Sequence, residues 1–429
     1  MYSYQIKFIA LEDTIGFELK SPNENEVEEF VYDIISIFAT VDENDRPLII
    51  SLQNNSLENK VEISNFVSKY CEKLPQLNAL KAFFNKLKDD DSFFFLPNIK
   101  MELAESTKLR DYLRALKEGL DFEELNSQTT ELFGDLMDNY TLGGVGDKRV
   151  EIGEKNKLHR TCRFCDRKSD LTTFDSKAHA ISEALGNKTI VLYEECDECN
   201  KRFSETIESD IVQYLSLFRT IYDVKGKNRG KGKGGSKKFK GKNFDLKNNG
   251  NVELSFQSED DRPIKNDEDY NIKLEAEQPI ISQNIYKALC KYYLSIIDKK
   301  HLKHFKKTID WINGKIEIDR LPKIAEMTSY HSFAMQPKLT YFLRKTEDKE
   351  IPFAIGEFYF TCKIFAFIIP LCSQDDKNFL EEIEYKNFWK TFRHFDKTKG
   401  WVFNDFSNNN KRDFTINLNF ELKGKKASK

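Results

Sequence analysis

The chain has 429 residues, which predicts two or three domains rather than one. Hydrophobic residues make up 39% of it and charged residues 32%, so ordinary cores under a very polar surface are expected. The longest apolar run, residues 364–372, is too short to cross a membrane, and the first twenty residues lack the apolar stretch of a signal peptide. A cytoplasmic protein without membrane partners is therefore expected.

The net charge of −3 conceals an uneven distribution of charge along the chain. Residues 1–150 contain 16 basic and 28 acidic side chains, whereas residues 225–242 contain nine basic side chains and no acidic one. Electrostatically distinct parts are expected as a result. The overall pI near 6.2 consequently does not exclude binding to nucleic acid.

Residues 1–150 are predicted to form a mostly helical domain with a role in sensing, oligomerisation or partner binding. Apolar residues recur with a helical period over residues 27–38, and less regularly over 77–87 and 109–120. The glycine-rich residues 141–147 are interpreted as a linker. No Lys-Ser/Thr pair follows them, so they do not form a phosphate-binding loop.

Residues 155–224 contain two Cys-x-x-Cys turns. Each turn can place two sulfurs on one metal ion, and two turns complete a tetrahedral site, so a structural zinc is predicted. In a reducing compartment the thiols are expected to bind metal rather than form disulfides. The predicted ligands are Cys162, Cys165, Cys196 and Cys199.

A histidine and an asparagine accompany the cysteines. The 30 residues between Cys165 and Cys196 leave room for a β-hairpin carrying His179, and the sequence after Cys199 has a helical pattern with Asn200 at its start. This order predicts a strand–strand–helix unit in which the imidazole and the amide converge. Such a pair suits phosphodiester hydrolysis, which needs an activated water and a bound cation.

The segments CRFCDRK, KAHAISEALGNK and ECDECNKRFSETIE together resemble the HNH endonucleases, which have a ββα-metal core, in the subgroup with a four-cysteine zinc. The resemblance covers roughly residues 158–224. It implies that His179 is the general base, that Asn200 ligates a catalytic Mg²⁺ or Mn²⁺, and that Asn187 fixes the loop bearing the histidine. The cysteines then hold zinc and take no part in the reaction.

One position departs from the family pattern. The residue before the catalytic histidine is commonly an acidic metal ligand, but here it is Ala178. Glu183 and Glu208 are the candidates to replace the missing carboxylate. Other readings stay open: His179 as a core or zinc-binding histidine, Asn200 as a helix N-cap, and both glutamates as solvated surface acids.

Residues 225–270 are predicted to be a flexible basic segment, because Lys, Gly, Asn and Asp predominate without any hydrophobic period. Basic side chains from here, and one on the preceding helix, are candidates for phosphate contacts. A solvated linker is the alternative. The candidates are Arg219, Lys225, Lys227, Arg229, Lys231 and Lys233.

Residues 271–429 are predicted to form an α+β domain of unassigned role. A helical stretch over 280–312 has a break near Asp298, and strands are expected at 339–343, 353–360, 363–369 and 414–422. The overall fold class is thus a multidomain α+β protein. Its ββα-metal module lies between a mostly helical domain and an α+β domain.

The predicted function is a metal-dependent endonuclease that cuts DNA with low sequence specificity. Such a module beside two larger domains is typical of a regulated effector in antiphage defence, acting as a homo-oligomer or with a partner defence protein. This context is inferred by analogy. Two alternatives remain: a zinc-stabilised nucleic-acid-binding or scaffold protein without catalysis, and a nuclease that cuts structured RNA.

Overall fold

The computed structural model describes the chain except residues 42–46, 100, 102, 147, 227–236, 260–263, 267–268, 330–332, 397–398 and 422–429. The chain divides into two compact units, Met1–Asp138 and Asn139–Lys429. Of the helices in the described ranges, none combines the length and apolar character that a membrane span requires. The predicted α+β fold class is confirmed.

The first unit combines helices with an antiparallel sheet. The sheet has the strand order β2-β1-β6-β5, and a separate hairpin pairs β3 with β4. The strands are β1 (Tyr2–Ala10), β2 (Thr14–Ser21), β3 (Ala39–Val41), β4 (Pro47–Ile49), β5 (Leu52–Asn54) and β6 (Ser92–Pro97). The helices are α1 (Glu24–Phe38), α2 (Leu57–Tyr70), α3 (Asn78–Lys86), α4 (Leu103–Glu118) and α5 (Phe122–Asn139).

Helix α1 illustrates how the sequence pattern defines this unit. Its N-cap Asn23 accepts a hydrogen bond from the Asn25 backbone N–H, which satisfies one of the free donors at the helix start. The residues that it buries recur every three or four positions, as a helix packed on one face requires. They are Val27, Phe30, Ile34 and Phe38. The helix predicted over residues 27–38 is confirmed.

The second unit is built on a six-stranded antiparallel sheet with the order β20-β16-β19-β18-β17-β7. Its strands are β7 (Tyr140–Val145), β16 (Ile324–Thr328), β17 (Ala334–Arg344), β18 (Ala354–Thr361), β19 (Lys363–Ile368) and β20 (Val402–Asn404). The strands predicted at 339–343, 353–360 and 363–369 are confirmed. The prediction of a linker at 141–147 is wrong for residues 141–145, which belong to an edge strand of this sheet.

Two glycines allow β7 to pair with β17. A Cβ on Gly143 would lie 2.3 Å from the Tyr341 hydroxyl oxygen, and one on Gly144 would lie 2.9 Å from the Leu339 carbonyl oxygen. Glycine therefore lets the edge strand approach β17 closely. The glycines that suggested a linker are the residues that this strand pairing requires.

Smaller elements complete the second unit. Sheets of three strands join β10-β11-β12 and β13-β14-β22, β15 pairs with β21, and β8 pairs in parallel with β9. The remaining strands are β8 (Val150–Ile152), β9 (Ile190–Leu192), β10 (Lys237–Lys240), β11 (Phe244–Asn248), β12 (Val252–Phe256), β13 (Ile264–Asn266), β14 (Asp269–Glu275), β15 (Ile280–Ile281), β21 (Lys411–Arg412) and β22 (Thr415–Glu421). The helices are α6 (Asp197–Glu205), α7 (Ile207–Tyr214), α8 (Ser216–Ile221), α9 (Ser282–Ile296), α10 (Lys306–Ile312), α11 (Glu382–Lys390) and α12 (Arg393–Asp396).

The basic segment differs from its prediction. Residues 237–256 form strands β10, β11 and β12 instead of a flexible chain. Phe239, Phe244 and Leu246 are buried there and pack in one cluster with Leu217 of α8. The few apolar side chains of this segment therefore anchor a short sheet by packing on neighbouring elements, although lysine and glycine are frequent in its composition.

Helix α9 lies at the centre of the second unit. Its predicted break is confirmed: α9 ends at Ile296, Asp298 caps a 3₁₀ turn over Lys299–Phe305, and α10 follows. The Tyr286 and Tyr293 hydroxyls donate to carbonyl oxygens of the large sheet. One hydrophobic cluster contains residues of 162–224 together with residues of 280–406. The cysteine-rich segment, expected to be a module of its own, thus shares its core with the C-terminal part.

Candidate active site

Two short turns bring four cysteine thiols together. In the first turn, the Asp166 N–H donates to the Cys162 carbonyl at 3.0 Å, and Asp166 has a φ of 58°. In the second turn, Cys196 is the N-cap of α6 and Cys199 lies in the first turn of that helix. The four thiol sulfurs lie within 4.8 Å of one another, and the sulfurs of Cys165 and Cys196 are 3.6 Å apart.

This cluster fits a tetrahedral zinc. Zn–S bonds of about 2.3 Å place tetrahedral sulfurs about 3.8 Å apart, whereas a disulfide requires about 2.05 Å. Arg167 and Arg202 each donate to a cysteine sulfur at 3.5 Å, which offsets the negative charge of four thiolates around one zinc. Among the described residues it is the one group of three or more His, Cys, Asp or Glu side chains close enough to hold a metal ion.

His179 lies on a short antiparallel bridge with Val191. The backbone bonds on either side of this pair are Ala180 N–H to Ile190 O at 3.1 Å and Leu192 N–H to Ala178 O at 3.0 Å. His179 is therefore a non-hydrogen-bonded member of the pair, and its own backbone groups point away from Val191. The hairpin expected to carry His179 is reduced to this bridge and strand β9.

Asn187 holds the chain between the two sides of the bridge. Its Nδ2 donates to the carbonyls of Ile181 at 2.8 Å and Ile190 at 3.0 Å. Its Oδ1 accepts from the N–H groups of Thr189 at 3.1 Å and Ile190 at 2.9 Å. The side chain is fully buried. These are the contacts expected of a residue that fixes the histidine-bearing loop.

Replacing Asn187 with alanine should destabilise the second unit by about 3 kcal/mol, because two carbonyls and two N–H groups lose their hydrogen bonds to its amide. The Ile190 carbonyl keeps its bond from the Ala180 N–H. Urea unfolding measures this loss. The matched control is Asn200→Ala, which should leave the free energy of unfolding nearly unchanged, since Asn200 is only half-buried and donates one long bond, to Ser176 at 3.4 Å. Equal destabilisation by both variants would contradict the role given to Asn187.

Helix α6 positions Asn200 one turn after its start. The N-cap is Cys196, so the reading of Asn200 as the cap is wrong. Asp197 ties the helix start to the preceding loop by accepting bonds from Thr173 and from the Asp175 and Ser176 N–H groups. Burial of Asp197 acts to raise its pKa, but hydrogen bonds from Ser176 and Thr173 outweigh it and lower the pKa to about 2.

The helix after Cys199 is not continuous as predicted. It is divided into α6, α7 and α8 at Thr206 and Leu215. The break at Thr206, which has a non-helical backbone, lies between Asn200 and Glu208.

A cleft of about 1020 Å³ lies between the histidine-bearing loop and helices α6 and α7. The histidine, the asparagine, the two candidate glutamates and Arg219 all line it, so residues predicted separately from the sequence meet at one place. The lining consists of Ser176, Lys177, His179, Ser182, Glu183, Ala184, Lys188, Asn200, Ser204, Glu208, Ser209, Val212, Arg219 and Gly226.

Residues 162–216 match the HNH endonuclease family. The resemblance predicted from the sequence is thereby confirmed for this stretch, called the HNH segment from here on. It is a small part of the 429-residue chain, so the match describes this segment and not the rest. No curated protein and no solved structure matches the chain.

The two candidate glutamates of the HNH segment have different surroundings. Glu183 lies in a 3₁₀ turn, with its carboxylate 4.0 Å from the His179 Nε2. Glu208 is nearly buried and forms an ion pair of 3.0 Å with Lys291. Glu208 is therefore not the solvated surface acid of the alternative reading, whereas Glu183 is partly exposed. Ala178 is buried and offers no ligand.

Lys291 contacts two residues that line the cleft, and no sequence motif indicates it or its partner Glu195. Lys291 of α9 pairs with Glu195 and Glu208, both at 3.0 Å. Burial acts to lower the pKa of Lys291, but the two carboxylates outweigh it and raise the pKa, so the ammonium stays charged. Burial raises the pKa of Glu195 to about 7. Lys291 is more than ninety residues from Cys199 in the chain, so the spacing of the cysteine motif does not indicate that it lies near the site.

The side chains predicted to bind phosphate differ in their surroundings. Arg219 lines the cleft, but its Nε donates to the Ala184 carbonyl at 2.9 Å, and burial lowers its pKa. It thus supports the turn that carries Glu183. Lys225 is exposed, and its Nζ lies 3.8 Å from the Asp223 Oδ2. Lys227, Arg229, Lys231 and Lys233 lie outside the described residues.

Two lysines of the cleft were overlooked. Lys177 and Lys188 are exposed and line the cleft on either side of His179 in the sequence. Their proximity to the histidine could have been read from the sequence, since both lie within nine residues of it. The prediction instead rested on the basic residues of 225–242, which are more closely spaced in the sequence.

Proposed function

We propose that the HNH segment is a metal-dependent endonuclease that hydrolyses DNA phosphodiester bonds with low sequence specificity. One observation carries the proposal: His179 and Asn200 line the same cleft beside a four-cysteine cluster. A zinc-binding fold alone does not need an imidazole and an amide facing one open cavity. The family match to HNH endonucleases supports the same reaction class.

In this proposal His179 takes the proton of the attacking water. A neutral imidazole is a suitable base near pH 7. Glu183, with its carboxylate 4.0 Å from Nε2, stabilises the imidazolium that forms. The amide oxygen of Asn200 is a ligand of the type that Mg²⁺ and Mn²⁺ prefer. Such a cation, when bound, supplies positive charge to the scissile phosphate.

Low sequence specificity follows from the cationic groups of the cleft. Lys177 and Lys188 are exposed ammonium groups, which bind phosphate oxygens and carry no base readout. The proposal assigns them to the DNA backbone on the two sides of the cut.

Replacing both Lys177 and Lys188 with glutamine should weaken DNA binding. The plot of the logarithm of the association constant against log salt should also become less steep, its negative slope losing about 0.9 in magnitude for each lost contact. Fluorescence anisotropy with a duplex, in buffer without Mg²⁺ or Mn²⁺ and over a series of salt concentrations, measures the slope without cleavage. Lys168→Gln is the control, because Lys168 is exposed in the same segment but does not line the cleft. An unchanged slope in the double variant would remove these lysines from the interface.

Purified protein incubated with supercoiled plasmid tests the proposed function. Nicking or linearisation is expected with Mg²⁺ or Mn²⁺ and not with EDTA, and it should be absent from His179→Ala. A parallel RNA substrate separates the two backbones, since only RNA carries the 2′-hydroxyl. Cleavage of RNA alone would replace DNA by structured RNA as the substrate.

A second candidate function is a zinc-stabilised nucleic-acid-binding scaffold without catalysis. Ala178 favours it, because a buried methyl group occupies the position where the family commonly has a metal-binding carboxylate. Its decisive sign is DNA binding without cleavage under every metal tested. Measured turnover, even if slow, excludes it.

The proposed biological role is a regulated effector in antiphage defence. The separate unit Met1–Asp138 offers a place for a trigger, a second copy or a partner defence protein to act. Plaque assays on cells expressing the wild type or His179→Ala test this role. Protection that depends on His179 supports it, and equal plating on both strains counts against it.

A further inference from the structure

One buried ammonium group connects three separate stretches of chain around the cleft. The Nζ of Lys291 lies 3.0 Å from a Glu195 carboxylate oxygen, 3.0 Å from the Glu208 Oε1, and donates to the His179 carbonyl at 3.2 Å. The lysine side chain is 1% exposed. It lies on α9, beyond the HNH segment that ends at residue 216.

The bond to His179 follows from the strand geometry. Since His179 and Val191 form a non-hydrogen-bonded pair, the His179 carbonyl points away from β9 and needs another donor. Lys291 supplies that donor. The main chain that carries the imidazole is therefore held by β9 on one side and by α9 on the other.

The bond to Glu208 brings the same ammonium group to the cleft wall. Glu208 lines the cleft together with Asn200 and Ser204, whereas Glu195 is completely buried and adjoins the zinc ligand Cys196. A buried ammonium between two carboxylates fixes the rotamers of all three side chains, because moving any of them leaves an unpaired charge. Lys291 thus sets the position of a carboxylate as well as of the histidine main chain.

We propose that Lys291 is a positioning residue of the nuclease site. Through Lys291, helix α9 holds the His179 main chain and the Glu208 carboxylate in the positions that catalysis requires. The inference rests on the proposed function. It makes the C-terminal part of the chain a component of the active site, so the HNH segment by itself is incomplete.

Helix α9 contains a matched control for this proposal. Lys287, one turn earlier, is also buried, with its Nζ 5.5 Å from the centre of the Trp311 ring. It does not line the cleft. Lys287→Met therefore reports the cost of removing a buried lysine from α9 without touching the site.

Steady-state nicking of supercoiled plasmid by the full chain in Mn²⁺ tests the proposal. Lys291→Met should lower kcat about 10- to 100-fold, the usual effect of losing a group that orients the reacting residues, and leave the KM for DNA nearly unchanged. Lys287→Met should keep the wild-type kcat. Zinc content and thermal melting of each variant show how much of it is folded.

A second variant keeps the test decisive if Lys291→Met does not fold. Glu195→Gln combined with Lys291→Met removes one buried acid together with the base, so the charge imbalance is relieved while the contacts to His179 and Glu208 stay lost. We expect this double variant to bind zinc and melt cooperatively, yet to keep the low kcat.

Two results would overturn the inference alone. One is a wild-type kcat for Lys291→Met. The other is recovery of the wild-type kcat in the double variant, which would mean that Lys291 only neutralises buried charge. In either case the wild type still cuts and His179→Ala does not, so the proposed function stands. If the wild type cuts under no metal, the proposed function fails and this inference fails with it.

Discussion

Replacing His179 with alanine is expected to lower the rate of phosphodiester cleavage by about 10²- to 10⁴-fold, the range of a lost general base. The side chain lines the open cleft, and the methyl group of alanine cannot accept the proton of a water molecule. The fold should persist, since the pairing of this strand uses the backbone of Ala178 and Ala180. Initial rates of plasmid nicking under saturating Mn²⁺ measure the loss.

His159→Ala is the matched control for this prediction. His159 is an exposed histidine of the same unit, in the 3₁₀ turn Lys157–His159, and it does not line the cleft. Its replacement should leave the rate unchanged. His179→Ala should keep its zinc, and it should keep its affinity for duplex DNA in buffer without Mg²⁺ or Mn²⁺. Cleavage at the wild-type rate by His179→Ala would remove this residue from the mechanism.

The local parts of the site were accessible from the sequence because short spacings determine them. Two Cys-x-x-Cys turns in one segment have the spacing of a four-thiolate zinc site, and Asn200 directly follows the last cysteine. The start of the helix is an exception: the prediction placed it at Asn200, whereas Cys196 is the N-cap and Asp197 binds the loop that leads to His179. What lies within one or two turns of a motif can be predicted.

The surroundings of the site were not accessible, because they depend on contacts between distant stretches. Lys291 is one more residue of a helical pattern until α9 packs against α7 and places it beside Glu208. Arg219 looked like a phosphate-binding cation because it precedes a basic run, but its partner is the carbonyl of Ala184, 35 residues away. Sequence patterns give the character of a side chain and not its partner.

The same limit explains the errors in the fold. Gly143 and Gly144 have the composition of a linker, but their pairing with β17 involves residues almost two hundred positions away. The basic segment has too few apolar residues to suggest a sheet, yet Phe239, Phe244 and Leu246 pack on α8, outside the segment itself. Glycine and lysine content indicates flexibility only when no neighbouring element supplies a surface.

Removing the zinc is expected to unfold the second unit well beyond the cysteine turns. Structural zinc contributes about 10–16 kcal/mol to small zinc domains, against a total stability of about 5–15 kcal/mol for a typical domain. The buried cysteines belong to the same hydrophobic cluster as Tyr286 and Leu289 of α9, and Arg163 between them donates to the α9 carbonyl of Leu294 at 3.2 Å. Loss of the metal should therefore release α9 as well.

Hydrogen exchange with zinc analysis tests this expectation on Cys196→Ser. Peptides of residues 162–216 and of Ser282–Ile296 should lose protection together, and nicking should cease. Peptides of Met1–Asp138 should keep theirs, because that unit is compact by itself. The control is Cys71→Ser, a half-buried free thiol of the first unit. Protection of α9 that survives without zinc would contradict the expectation that α9 unfolds together with the cysteine turns. It would also weaken the case for Lys291, whose bond to the His179 carbonyl links α9 to the HNH segment.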